Sequence, residues 1–290
     1  MKFCDINVRD PYILTHNGKY YLYGTRAKNT WEKMPLDVIG FDVYVSDDME
    51  NWSDPKEIFS YFDGFWGDRQ YWAPEVHFYK GKFYLFASFT NENCHRGTAI
   101  LVCDTPDGRF KEHSDKAITP HNWECLDGTL YVENGTPYIV FCHEWTQIKD
   151  GTVCALQLTE DLKSSVGEPI ELWRASDAKW VTPCTDNNDY CTDGPFLLDL
   201  DGELICIWSS FTRGENGNEY CEAVSRSDNG SILGNWKIDE ELLFSKDGGH
   251  GMIFKDLLGN LNFVYHTPNS TPDERPAIVR LTEKQLRRTK

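Results

Sequence analysis

The chain has 290 residues, of which 29 are basic and 46 acidic, for a net charge of −17. A surplus of that sign repels a phosphate backbone and leaves no basic stripe, which excludes nucleic acid as a partner. No apolar run approaches the roughly 20 residues that span a bilayer, and the stretch from Met1 to Asp10 lacks the apolar core of a signal peptide, so a cytoplasmic protein with no membrane association is expected.

In chain order, one unit recurs five times: an apolar run, a turn on Gly, then a second run rich in aromatic and β-branched residues. It occupies residues 12–25, 76–88, 130–143, 196–209 and 252–266. The turn glycines Gly18, Gly81, Gly135, Gly202 and Gly259 lie 54 to 67 residues apart. Asn-Gly and Asp-Gly pairs among them are hairpin signals. A third β-type run follows each hairpin, at 41–46, 98–103, 153–158, 221–226 and 276–281. Three of these lead into turns ending on Trp52, Phe110 and Trp236, which fits a fourth strand with an aromatic packed between sheets. Small antiparallel sheets repeating at this interval predict an all-β fold, a five-bladed β-propeller with four-stranded antiparallel blades. At about 58 residues per blade the array uses the whole chain, so 1–290 reads as one domain. The surplus over a minimal blade falls at 28–40, 60–72 and 173–192, where loops carry function. Ten cysteines are scattered with no CxxC spacing and read as reduced, mostly buried thiols.

The first strand of each propeller blade lines the central channel, so the residue preceding it faces the channel mouth. Those residues are Asp10, Glu75, Asp127, Asp193 and His250. An Asp before Pro or Gly also makes an ordinary turn, but radial symmetry carries all five to one small area. Converging carboxylates are the equipment for cleaving a glycosidic bond: one ionised to activate water, another protonated to serve the leaving oxygen. Mutual repulsion separates their pKa values, so one cluster supplies both forms. Aromatics make up 14% of the chain and suit a sugar cleft. Trp31, Phe65, Trp66, Trp72 and Trp145 are candidate platforms, with inter-blade packing the alternative for each. Trp72 and Trp145 adjoin the proposed site. Arg275 is a candidate sugar ligand or a plain surface ion pair. His143-Glu144 lacks the second His of a zinc-protease helix and lies in a strand pattern, which excludes that motif.

Together the motifs resemble glycoside hydrolase family 43, five-bladed propellers that invert configuration while cleaving α-L-arabinofuranosyl and β-xylosyl linkages. The resemblance runs through Arg9-Asp-Pro-Tyr-Ile13, Trp72-Ala-Pro-Glu75, Asp127-Gly-Thr-Leu-Tyr131, Asp193-Gly-Pro-Phe-Leu197, Trp208-Ser-Ser-Phe211 and Gly248-Gly-His-Gly-Met-Ile253. It implies Asp10 as general base, Asp127 as the carboxylate that tunes and orients the acid, and Asp193 at the acid's place. It also implies an ion, calcium, in the channel near His250, and no organic cofactor. The family's usual acid is Glu, and Asp is one methylene shorter, roughly 1.5 Å less reach. Three readings stay open. The backbone comes closer and Asp193 serves; Glu144, at the end of the second strand of blade three, is the acid; or the chain is a weak enzyme or a sugar-binding propeller without catalysis. The expected activity is removal of terminal arabinofuranosyl or xylosyl units from short oligosaccharides. A phosphorylase on the same scaffold is the enzymatic alternative and would need a cationic pocket beside the carboxylates.

Overall fold

The computed structural model describes residues 1–27, 33–215 and 217–287. Five antiparallel sheets follow one another along the chain. Blade 1 is β1 (Val8–His16), β2 (Lys19–Arg26), β3 (Gly40–Ser46) and β4 (Lys56–Ser60). Blade 2 is β5 (Arg69–Tyr79), β6 (Lys82–Asn91), β7 (Cys94–Cys103) and β8 (Lys111–Glu112). Blade 3 is β9 (Cys125–Glu133), β10 (Thr136–His143), β11 (Thr152–Leu158) and β12 (Ser165–Arg174), with the short helix α1 (Trp145–Ile148) after β10. Blade 4 is β13 (Asp193–Leu200), β14 (Glu203–Gly214), β15 (Gly217–Ser227) and β16 (Trp236–Ile238). Blade 5 is β17 (Gly249–Lys255), β18 (Leu261–Thr267) and β19 (Arg275–Arg280), three strands among the described residues, before helix α2 (Glu283–Leu286). The five-bladed propeller of the sequence reading is the observed fold.

The hairpin turns take the form their sequences demand. Asn17, Lys80, Asn134 and Asp201 have positive φ, as does the glycine after each. Two successive left-handed residues are the turn whose twist matches the strands it joins. Between blades the core is aromatic. Phe41, Phe59, Tyr71 and Phe89 pack between blades 1 and 2 with ring centroids 4.7 to 6.4 Å apart. Phe65 and Trp66 belong to this cluster, which accounts for them as packing rather than sugar platforms. Trp236 lies 5.1 Å from Trp173, and Phe110 bonds through its backbone to Ile58 of the previous blade. Trp31 lies outside the described residues. All ten cysteines are free thiols, six of them buried.

The five inner strands share one irregularity, and it builds the site. In each, two residues oppose a single residue of the second strand: a β-bulge between Arg9 and Tyr12, Trp72 and Glu75, Leu126 and Thr129, Asp193 and Phe196, and Gly249 and Met252. The first bulged residue is left-handed in every blade: Asp10 (φ 52°), Ala73 (46°), Asp127 (56°), Gly194 (48°) and His250 (46°). The second is Pro11, Pro74, Gly128, Pro195 or Gly251, residue types that tolerate leaving the ladder. Non-glycine residues in this region cost about 1–2 kcal/mol each, and such strain gathers where function needs a side chain re-aimed.

Candidate active site

The bulge corrects the equivalence read from sequence. Glu75 directly follows the bulge of its blade, and Asp193 directly precedes its own. The bulged residues Asp10, Asp127 and His250 therefore meet at the channel mouth, while Glu75 turns into the channel below them. There it pairs with His77 Nε2 at 3.0 Å and does not line the cavity. Asp193, from the position before the bulge, reaches the same cluster from its side. Asp10, Asp127, Asp193, Glu144, Trp72, Trp145 and His250 line one cavity of about 470 Å³. Arg275 does not; its guanidinium bonds back to the Glu274 carbonyl at 2.7 Å.

The bulge amides are tied from blade to blade. Thr25 Oγ1 accepts the Ala73 N–H at 2.7 Å, Ser88 Oγ that of Asp127 at 3.0 Å, Ser209 Oγ that of His250 at 2.6 Å, and His266 Nδ1 that of Asp10 at 3.1 Å. At the remaining junction the equivalent residue is Cys142, a weak acceptor, and Gly194 N–H donates instead to Asp127 Oδ2 at 3.0 Å. The ring of bonds fixes the carboxylates against one another.

Asp10 is buried, which by itself pushes its carboxyl up. His250 Nδ1 at 3.3 Å, Arg9 Nε at 3.3 Å and the Thr25 hydroxyl at 2.6 Å more than offset that and hold it well below the usual carboxylate range. Asp127 goes the other way. Burial, then Asp193 beside it and in hydrogen bond with it, push its carboxyl well up. The protonated form this favours on Asp127 lies in hydrogen bond with the half-buried Asp193. Tyr220 O–H donates to Asp193 Oδ2 at 2.7 Å, and burial with Asp193 keeps the phenol protonated. Glu144 is pushed up by burial and pulled back by Arg96, with which it forms a buried ion pair; Thr146 also donates to it at 2.7 Å.

Several residues of the site and its surroundings were not named as functional from the sequence. Arg9 spans Asp10 and, at 3.1 Å, the fully buried Glu274, and reaches Asn269 Oδ1 at 3.2 Å and Thr271 Oγ1 at 3.3 Å. Asn269 and Thr271 come from the loop before β19. Cys184, Thr185, Cys191 and Thr192 come from the expected surplus segment 173–192. Tyr220 and His266 stack, centroids 5.7 Å apart, so that a continuous strut joins Asp193 to Asp10. Only Arg9, next to Asp10, was within reach of a sequence reading.

An ionised carboxylate facing a hydrogen-bonded carboxyl pair, in a cavity walled by two tryptophans, is the apparatus of a glycoside hydrolase. The profile of glycosyl hydrolases family 43 matches residues 4–285, and the chain belongs to that family. The fold superposes with a TM-score of 0.88 on an endo-arabinase from Bacteroides thetaiotaomicron VPI-5482, at 40% identity over 97% of this chain and 96% of that one. A thermostable family-43 glycoside hydrolase follows at 0.77 and 26% identity, covering 95% and 90% of the two chains. Among curated proteins, the extracellular endo-alpha-(1->5)-L-arabinanase 1 of Bacillus subtilis (strain 168) is 25% identical over 49% of this chain and 45% of its own length. A xylosidase/arabinosidase of Bacteroides ovatus is 26% identical over 43% of this chain and 42% of its own. The matches thus span less than half of these two curated relatives. Among the described residues no helix is long and apolar enough to cross a membrane. The cytoplasmic location expected from sequence finds no support among these relatives.

Proposed function

We propose that the chain is an inverting glycosidase acting on α-L-arabinofuranosyl linkages of arabinan-type oligosaccharides, with β-xylosyl linkages the second choice. The observation that carries it is the division of charge in one cavity: Asp10 held ionised, and Asp127 pushed toward its protonated form in hydrogen bond with Asp193. Asp10 takes a proton from water as its oxygen attacks the anomeric carbon. Asp193 gives the proton of that pair to the leaving oxygen, Asp127 favouring the protonated form of the pair before the step and Tyr220 fixing the oxygen that does not react. The proton taken up by Asp10 then passes to solvent, from which the pair regains its own. A separation of roughly 6.5–9.5 Å between base and acid admits that water.

The arabinan preference draws on the two arabinanases named above. Release of terminal units, the expectation from sequence, has less support than internal cleavage. A second cavity of about 550 Å³ adjoins the first across Arg96, so the face accommodates more than one sugar unit. A phosphorylase would need a cation for phosphate, and the Arg9 guanidinium is already engaged by Asp10 and Glu274. The cluster of Asp127, Asp193 and His250 brings donor atoms within 4.8 Å of one another. A cation held by both carboxyls would displace the proton that Asp193 must deliver, so an ion in the channel would be held by His250 and water, clear of them. Calcium takes six to eight oxygens, so water would complete its shell, and no step is routed through it. Proton NMR of the first product from arabino-oligosaccharides should show the inverted anomer, and chromatography a ladder of sizes rather than arabinose alone. A retained anomer would overturn the mechanism. Asp10→Asn should abolish turnover while circular dichroism shows the fold retained.

A further inference from the structure

Trp72 does not stand alone in the cavity wall. The guanidinium carbon of Arg96, from β7, lies 4.7 Å from the centroid of its ring. Arg96 is only 5% exposed. Its Nε donates to Gln70 Oε1 at 2.8 Å, and Nη1 donates to Glu144 Oε2, itself 1% exposed and fixed by Thr146. A planar cation is thus clamped by two blades against the ring. Burying an ion pair is a costly way to add stability, so its persistence here asks for a use. Trp72 borders the cavity of the carboxylates; Arg96 and Gln70 border the second cavity with Arg69, His95 and Glu124. The stacked pair is the wall between them.

We infer that Arg96, clamped by Glu144 and Gln70, is a specificity-determining positioning residue that fixes Trp72 as the platform for a sugar unit flanking the scissile bond, so that the substrate chain passes over the wall between the two cavities. The inference rests on the glycosidase reading above. An indole offers two faces and swings about two side-chain torsions. A guanidinium held against it engages the ring and locks its plane. A platform set before binding spares the substrate the cost of ordering it. Glu144 then serves as counter-ion to Arg96, and its proton takes no part in the reaction.

Because Arg96 would act through Trp72, a double-mutant cycle tests the claim. Binding of arabinobiose and longer arabino-oligosaccharides is measured by calorimetry in the Asp10→Asn background, for Arg96→Met, Trp72→Ala and both together. Since Arg96→Met strands a buried Glu144, the series is repeated with Arg96→Met/Glu144→Gln, which removes both charges. We expect Arg96→Met to weaken binding about tenfold, more for longer chains, and the loss to vanish once Trp72 is Ala. In the active enzyme, Arg96→Met and Glu144→Gln should raise KM far more than they lower kcat. Losses that simply add would overturn this inference and leave the proposed function standing. A wild type that neither binds nor hydrolyses any arabino-oligosaccharide would overturn both.

Discussion

At the scale of the residue, the open question is which carboxyl delivers the proton. Asp193 is hydrogen-bonded to Asp127, whose carboxyl is pushed toward its protonated form; Glu144 is bound to a guanidinium that stays charged. A general acid matters in proportion to how poor the leaving group is. Asp193→Asn should therefore cripple turnover of natural disaccharides yet largely spare an activated aryl arabinofuranoside, whereas Glu144→Gln should harm both alike. Exchanged patterns would make Glu144 the acid. In the proposed mechanism Tyr220, donating from the wall, holds the short side chain of Asp193 in place. A hydrogen bond to a charged group contributes about 1.5–3 kcal/mol, so Tyr220→Phe should cost roughly 10- to 100-fold in kcat on natural substrate. Its ring still stacks on His266, so Tm should hold. An equal loss on substrates with good and poor leaving groups would place Tyr220 outside proton transfer.

At the scale of the element, the shared bulge is the feature that sets function. Adding a Cβ to Gly194 would bring it 2.7 Å from His250 Cδ2, at a φ of 48° that already disfavours a side chain. Gly194→Ala should lower stability by at least about 1–2 kcal/mol and displace His250 from Asp10, which urea unfolding and kcat/KM would register together. Ala73→Gly is the control. It relieves left-handed strain of about 1–2 kcal/mol and adds about 0.4–1 kcal/mol of unfolded-chain entropy, so its stability should match or exceed the wild type. A clear loss at Ala73→Gly would show that the bulge is not strained. The same feature marks where the sequence stopped being readable. The strands were legible because period two and a left-handed glycine turn are local signals, repeated five times. Bulges are less so: one extra residue reverses which face every later side chain takes, and the only local hint in Trp72-Ala-Pro-Glu75 is Pro74, a residue type that an inner strand admits only at a bulge. That is why Glu75 was expected among the carboxylates and lies below them, and why Asp193, out of register with Asp10, reached the cluster all the same. Tyr220 and His266 act across blades, and pairings between strands far apart in the chain leave no local pattern.

At the scale of the whole molecule, no strand among the described residues is exchanged to close the ring; the terminal segments brace it. Asn7 Nδ2 donates to the carbonyls of Pro272 and Glu274, each at 2.8 Å, Ile6 is fully buried, and Leu286 of α2 packs fully buried among blades 4 and 5. Within this frame lie buried groups whose titration makes stability depend on pH. Burial lowers His266 to about 3, and it pushes Glu222 up to about 8 despite the Ser209 hydroxyl and the Gly251 amide on its Oε2. His266 is depressed, so its contribution is present above about 6.5 and lost as pH falls toward 3. Glu222 is raised, so its contribution is complete below about 4.3 and lost as pH rises through 8. Between these limits the two slopes oppose each other and stability should change little. From about pH 6.5 to 8 only the Glu222 slope remains of the two, up to ~1.4 kcal/mol per pH unit, and the raised Asp127 adds in the same direction. Urea unfolding across this range should therefore show stability falling with rising pH. Glu222→Gln keeps an acceptor for Ser209 and Gly251 while removing the ionisation, so it should flatten much of that fall. A wild type whose stability holds level from pH 6.5 to 8 would mean that Glu222 finds a partner for its second oxygen and ionises without cost.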